Sequence, residues 1–350
     1  MKFNFYALTK KNKIELFSRD MSAIEDDEIL VKQMACNICT TDYQQWQGKR
    51  EHQGYPMAGG HECAGIVVAK GKNVGDSFGI GDHVAIVYDY CGVCESCKKG
   101  YITNCENIDQ FGKNYSSEFY GIFGFADYFK RKAKSFVKLS KKLDFSEGAF
   151  VEPLSSVIAG IDKLTINSES NVIVIGSGTM GILNALYAKS LGANVIILGT
   201  NEKKNKVANR LSLDTINPKD CSYKDLIKEK FNKKLADIAI VAAGSSSANQ
   251  QSLDLTKNYD AQILFYAAGY PKPELKVDSN MIHYRRLNMY GAYGSKLYDF
   301  NRAADLLSNN SINVKPLIEA KYKFSDIDDA FKKAATKDSF RVSLILNEEK

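Results

Sequence analysis

Four cysteines crowd into one short stretch, Cys91-x2-Cys94-x2-Cys97-x7-Cys105. Four thiolates at this density close a tetrahedral Zn²⁺ site and leave no open position, so such a metal serves folding and not substrate. Gly92 and Gly100 let the backbone turn tightly around it, and Lys98 and Lys99 put positive charge beside an anionic tetrathiolate. A second set has the makings of an open site. Cys39-Thr40-Thr41-Asp42 offers a thiolate and Gly59-Gly60-His61-Glu62 an imidazole. A catalytic zinc keeps three protein ligands and one exchangeable position. A carboxylate would complete the three, from Glu62 or from Glu152 in Val151-Glu152-Pro153-Leu154. Cys36 and Cys39 form a CxxC, but without the βαβ surroundings of a redox pair. Cys36, Cys63 and Cys221 read as buried small hydrophobes.

A third constellation would hold a dinucleotide. Asn171 to Ile175 has the apolar run of a buried strand, and Gly176-Ser177-Gly178-Thr179-Met180-Gly181 follows it into a helical pattern. Gly176 permits the turn, Gly178 lets the backbone approach a pyrophosphate, and Gly181 lets the helix pack on the sheet. The helix N-terminus then offers unpaired N–H groups to the phosphates. The next strand ends Leu198-Gly199-Thr200-Asn201-Glu202-Lys203-Lys204. NAD binders place an acid at this strand end to accept from the ribose hydroxyls. Here Gly199 takes that place, while Thr200, Asn201, Lys203 and Lys204 could donate to a 2′-phosphate. NADP is therefore expected over NAD, and Gly199→Asp is expected to reverse the order. Two further strands run into Ala243 and Gly269, where the same cofactor would be contacted.

These residues need two kinds of scaffold. The chain has 350 residues, 44% of them hydrophobic and 25% charged, which is material for about two globular cores and excludes a disordered chain. The net charge of +6 is too diffuse to argue for nucleic acid. No apolar run approaches the roughly 18 residues of a membrane span, and no apolar signal core follows the N-terminus, so a cytoplasmic protein is expected. Thiols used as ligands fit a reducing compartment. Residues 28–32, 64–68 and 83–87 are short apolar runs bounded by turn residues, which suggests a barrel-like β domain. Beyond residue 170 strands alternate with helices: strands at 171–175, 195–198, 237–241 and 262–266, and helices from 182 to 191 and 203 to 211. That alternation predicts a doubly wound parallel sheet. From about residue 295 the chain reads as helical, then ends in a strand at 342–346. The seven basic residues between Lys130 and Lys142 read as a solvated face.

An open zinc site, a four-cysteine knuckle and a dinucleotide fingerprint, in this order, resemble the zinc-dependent medium-chain dehydrogenase/reductase family over nearly the whole chain. Gly81-Asp82-His83-Val84 matches the family's GDxV strand. Glu152-Pro153-Leu154, Tyr290 to Ser295 and Lys315 to Ile318 look like its polyol and threonine dehydrogenase branch. The resemblance implies an α/β protein with a GroES-like β-rich catalytic domain at residues 1–152 and 295–350, and a Rossmann domain inserted at 153–294. It implies that Cys39 and His61 bind a catalytic zinc, with Glu62 or Glu152 as the third ligand. Cys91, Cys94, Cys97 and Cys105 would then hold a structural one. Thr41 would relay the substrate proton, Asp42 would orient His61, and Arg341 would face the pyrophosphate. A homo-oligomer, dimer or tetramer, is implied as well. Gln44 stands where many polyol dehydrogenases have a proton-passing His, and His52 is a candidate substitute. The expected reaction is hydride transfer between a secondary alcohol, a polyol or polyol phosphate, and NAD(P). Arg285, Arg286, Lys49 and Arg50 are the candidates for a substrate phosphate. The rival readings are a zinc-knuckle binding protein, a zinc-free reductase of this fold, and a cofactor binder without activity.

Overall fold

The structure, a computed structural model, describes residues 1–50 and 54–348. The chain forms two compact units, Met1–Ser155 with Gly294–Lys350, and Ser156–Tyr293.

In the second unit the strand Asn171–Ile175 lies inside a six-stranded parallel sheet. Asn194–Leu198 and then Asp214–Ile216 extend it to one side, and Ile238–Val241, Gln262–Phe265 and Asn288–Gly291 to the other. Strand order thus reverses beside Asn171–Ile175, the switch point at which doubly wound sheets bind ligands. Val172, Ile173 and Val174 are fully buried, as a strand covered on both faces requires. Ile173, Ile196, Val241 and Ile263 share a core with Ile227 and Phe231.

The first unit is built around the strand Glu28–Ile38. The sheet order runs Ile318–Lys323, Arg341–Ile345, Glu28–Ile38, Glu62–Lys70, His83–Ile86, Phe136–Leu139, and Tyr128–Lys132 also pairs with Glu28–Ile38. Asn37 lies opposite Glu62, Cys36 opposite Cys63, and Val342 opposite Ile38. Glu28–Ile38 therefore ends one residue before Cys39, at the same sheet edge where Glu62–Lys70 and Arg341–Ile345 begin. The C-terminal strand completes the sheet and brings Arg341 to that edge.

Three expectations are corrected. The basic run is only partly a solvated face: Lys130 and Arg131 side chains are 14% and 11% exposed and pair with Glu28 at 2.8 Å and Asp89 at 3.4 Å. Cys221 is exposed, not buried. Residues 295–350 hold the helices Leu297–Ser308 and Ile327–Ala334, but also the edge strand Ile318–Lys323. A hairpin of Lys2–Lys10 and Lys13–Asp20 was not expected at all. It buries Phe5 and Ala7 in an aromatic cluster with Phe119 and Phe123.

Candidate active site

Cys39, His61 and Glu62 place one donor atom each within 4.8 Å of one another. Cys39 precedes the helix Thr40–Trp46, whose first turn is locked by Asp42. The Asp42 carboxylate accepts from the Cys39 amide at 2.8 Å and from the Gly60 amide at 3.2 Å, which ties the two ligand-bearing segments together. Asp42 Oδ1 lies 3.8 Å from His61 Nδ1, beyond hydrogen-bond length, so it acts on that ring as a charge. Phe111 meets His61 edge-on at 5.6 Å.

Glu62 is fully buried and takes a bidentate pair from Arg341, with Nη2 at 2.7 Å and Nε at 2.8 Å, while Arg341 Nη2 also donates to Cys39 Sγ at 3.5 Å. Arg341, expected to face a pyrophosphate, is seen here buried and paired with Glu62. A carboxylate has about four lone-pair sites, so this pair leaves Glu62 capacity for a metal. Glu152 stands in the helix Val151–Ile161 outside the three-donor group and accepts from Tyr88 Oη at 2.9 Å.

Burial raises the Glu152 and Asp42 carboxyls above their ordinary range. Burial acts to lower His61, but the Asp42 carboxylate and the Cys39 thiol outweigh it and hold the ring well above its usual value. Arg341 is likewise disfavoured by burial and held up by Glu62 and Cys39. Two buried carboxyls, the half-buried Glu152 and a thiol thus stand with one guanidinium and one imidazole. A dication with borderline-soft character would balance that set, and the donors fit zinc.

Thr41 Oγ1 is 3.9 Å from Cys39 Sγ. Sequence reasoning left its neighbour unranked: Arg50 Nη1 donates to Thr41 Oγ1 at 3.3 Å. Two of the other candidates for a substrate anion, Arg285 and Arg286, are held by the structure, and Lys49 is exposed. Arg285 caps the carbonyls of Leu253, Thr256, Lys257 and Asn258, and Arg286 holds Asp260 in two bonds of 2.6 and 2.7 Å. His52 lies outside the described residues.

Cys91, Cys94, Cys97 and Cys105 form a second group with all donors within 4.8 Å. Amides of Val93 and Cys94 point at Cys91 Sγ, both at 3.3 Å, and pull that thiol down to about 6. The Cys91 amide reaches Cys105 Sγ at 3.4 Å, and Asn107 Nδ2 donates to Cys91 Sγ at 3.3 Å. Burial pushes the Cys97 thiol the other way, up to about 12, and four sulfurs this close could hold a zinc ion.

In the second unit the fingerprint has the shape a dinucleotide needs. Gly176 has φ of 118°, and a Cβ on Gly181 would overlap the Gly176 carbonyl oxygen. A Cβ on Gly178 would meet nothing within 4 Å, so open space faces the start of the helix Thr179–Ser190. That helix has no side-chain cap, which leaves its first N–H groups to a ligand. Ser177 and Thr179 are buried and Met180 half-buried on this turn. Ala243 Cβ comes within 3.2 Å of the Gly176 Cβ direction, and Gly269 packs on Gly244 beside it. Asn201 is drawn into structure: it caps the helix Glu202–Arg210 by accepting from the Lys204 amide at 3.1 Å.

Gly199, the position at which an acid was looked for, is buried. A Cβ there would fall on Asn205 Oδ1 and Ser177 Oγ, and 2.7 Å from Ser177 Cβ. Gly199 faces inward, and the next residue, Thr200, is the exposed one at this strand end.

Residues 25–141 match the family described as alcohol dehydrogenase GroES-like domain, and residues 179–309 the family described as zinc-binding dehydrogenase. The chain is 26% identical to the L-galactonate-5-dehydrogenase of Escherichia coli, over 90% of each chain. It is 28% identical to the sorbitol dehydrogenase of Halalkalibacterium halodurans, over 91% of each. A putative zinc-binding dehydrogenase from Sinorhizobium meliloti, solved bound to NADP, superposes with a TM-score of 0.84 at 25% identity, covering 99% of both chains.

Proposed function

The chain belongs to the zinc-dependent medium-chain dehydrogenase/reductase family, in its polyol dehydrogenase branch, and on that premise we propose how this zinc-dependent alcohol oxidoreductase works. It oxidises a secondary alcohol of a polyhydroxy compound to the ketone, with NADP⁺ preferred over NAD⁺. Its catalytic domain is residues 1–152 with 295–350, and its dinucleotide domain is 153–294. The observation that supports this most strongly is the three-donor group of Cys39, His61 and Glu62 with a hydroxyl, Thr41, beside it.

When bound, zinc supplies the Lewis acidity that lowers the pKa of an alcohol oxygen, and NAD(P)⁺ supplies the hydride acceptor. Cys39, His61 and Glu62 hold the catalytic metal, and Cys91, Cys94, Cys97 and Cys105 hold a second, structural one. Asp42 keeps the Cys39 and His61 segments in register through its two amide bonds. Arg341 fixes the Glu62 carboxylate. Glu152, held by Tyr88, stands as the alternative third carboxylate. Thr41 Oγ would relay the alcohol proton, accepting it while its own hydroxyl proton passes on to water. Gly176 to Gly181 and the N–H groups opening the helix Thr179–Ser190 hold the pyrophosphate. Thr200 brings no carboxylate to the ribose, and Lys203 and Lys204 follow it in the sequence, which favours a 2′-phosphate. The relatives named for galactonate and sorbitol point to a polyhydroxy substrate. Among the described residues no helix is long and apolar enough to cross a membrane. A cytoplasmic homo-oligomer, dimer or tetramer, completes the proposal. No observation favours the reading as a zinc-knuckle binding protein.

A screen of polyols, polyol phosphates and simple secondary alcohols, each with NAD⁺ and NADP⁺, tests the proposal. Formation of reduced nicotinamide from at least one polyhydroxy alcohol is expected. Its absence across the panel, with the corresponding ketones also inert in reverse, would overturn it.

A further inference from the structure

Tyr88 follows the strand His83–Ile86, and the amide of Val87 before it donates to the Ser135 carbonyl at 2.8 Å. Its ring is buried and meets Phe111 edge-on at 6.0 Å and Phe300 edge-on at 6.1 Å. Phe111 is the same ring that stands edge-on to His61. These contacts fix where the phenol points, and it points at Glu152, whose Oε1 accepts from Tyr88 Oη at 2.9 Å. Among the described residues Tyr88 is the one donor to the Glu152 carboxylate.

The carboxylate held in this way is a competitor for the metal. Glu152 is close enough that its charge acts on His61 and on Arg341, yet it lies outside the group whose donors come within 4.8 Å of one another. Zinc is satisfied by four ligands, and a catalytic zinc needs one of those positions exchangeable. Cys39, His61 and Glu62 supply three. A second carboxylate on the same ion would close the site, as four thiolates close the knuckle. The two carboxylates differ in what holds them. Glu62 is fixed within the group by the bidentate pair with Arg341. Glu152 is restrained from outside it by a single O–H, whose bond to a carboxylate is charge-assisted and so has weight against the pull of a cation.

We propose that Tyr88 is a positioning residue that keeps Glu152 off the catalytic metal and so preserves the exchangeable position at which the alcohol binds. The inference rests on the reading of Cys39, His61 and Glu62 as ligands of that metal. Without the phenol, Glu152 would be a half-buried carboxylate with no protein donor beside a dication, and the ion is the partner it would take.

The test reads the exchangeable position itself. Cobalt(II) replaces zinc in the wild type, Tyr88→Phe, Glu152→Gln and the double variant. Each is titrated with imidazole, a neutral ligand that shifts the cobalt absorption bands by entering that position. His61→Ala, in which the knuckle alone should hold cobalt, supplies the baseline. Tyr88→Phe removes one oxygen and leaves the ring between Phe111 and Phe300. It is expected to bind imidazole at least about tenfold more weakly than the wild type, the size expected for one charge-assisted hydrogen bond. It should also release the open-site metal to a chelator more slowly, whereas general damage to the fold would speed release. Adding Glu152→Gln should return both quantities to within threefold of the wild type. Glu152→Gln alone should stay within threefold for imidazole, because the carboxylate it removes is not on the metal. A smaller loss in Tyr88→Phe, or a loss that Glu152→Gln does not restore, would overturn the role of Tyr88 while leaving the metal site intact. Should Tyr88→Phe fail to fold, Glu152→Gln alone still decides: imidazole binding tightened beyond threefold would mean that Glu152 already reaches the metal past Tyr88. A wild type that holds two cobalt ions and whose bands ignore imidazole would overturn the reading of an open metal site as well.

Discussion

Introducing a carboxylate at the end of the strand Asn194–Leu198 should have opposite consequences at two adjacent positions. At Thr200 the side chain is exposed. An Asp there would accept from both ribose hydroxyls of NAD⁺ and repel a 2′-phosphate that carries nearly two charges. One charge-assisted hydrogen bond is worth about 1.5–3 kcal/mol. At 1.4 kcal/mol per tenfold, Thr200→Asp should shift the ratio of kcat/KM for NADP⁺ over NAD⁺ by at least about tenfold toward NAD⁺. At Gly199 the same carboxylate has no room. Its Cβ alone would lie 2.0 Å from Asn205 Oδ1 and 2.4 Å from Ser177 Oγ, and Asn205 Nδ2 is bonded to the Gly199 carbonyl at 2.8 Å. Overpacking of this kind costs about 1–3 kcal/mol, which for a protein of this size lowers Tm by roughly 2–4 °C per kcal/mol. Moving Ser177 would also disturb the fingerprint turn, so Gly199→Asp should weaken both nucleotides together. Steady-state kinetics with each nucleotide and a thermal melt of both variants suffice. A Gly199→Asp protein with an unchanged melt and a reversed preference would refute the steric reasoning. A Thr200→Asp protein whose ratio moves by less than threefold would refute the assignment of the ribose contact.

Gly181→Ala should abolish measurable dinucleotide binding in a fluorescence titration, because its Cβ would overlap the backbone oxygen of Gly176, which cannot swing aside. Arg341→Gln should destabilise the zinc-free protein by about 3–5 kcal/mol in denaturant unfolding, since it strands the buried Glu62 carboxylate; adding Glu62→Gln should recover most of the loss. Cys94→Ser should lower the zinc content by one and damage folding before chemistry, because a closed site contributes its binding energy to the fold; a fully stable, soluble variant would contradict that.

The chemistry-bearing segments were legible because their requirements are local. Ligand spacing in the Cys91–Cys105 knuckle and the three glycines of Gly176–Gly181 are imposed within a few residues by a metal or a tight turn. The Arg341–Glu62 pair was hidden in the sequence for the opposite reason. Its two members lie 279 residues apart, and only the pairing of Arg341–Ile345 with Glu28–Ile38 brings them together. Gly199 read as open space in the sequence, and only the fold shows the Asn205 and Ser177 side chains where its Cβ would lie. The strand Ile318–Lys323 escaped notice because edge strands carry charge: Glu319, Lys321 and Lys323 hide its pattern among helices. Arg50 was one name among four cations until the reversal after Trp46 placed it on Thr41.

The most direct measurement compares zinc content and turnover in the wild type, Cys39→Ser and His61→Ala. Two zinc ions per chain and alcohol-dependent reduction of NADP⁺ are expected for the wild type. Each variant should retain one zinc, bind nucleotide normally and show no turnover, because the fingerprint stands on a separate unit from Cys39 and His61. Near-normal kcat in either variant would contradict the assignment of the catalytic metal site.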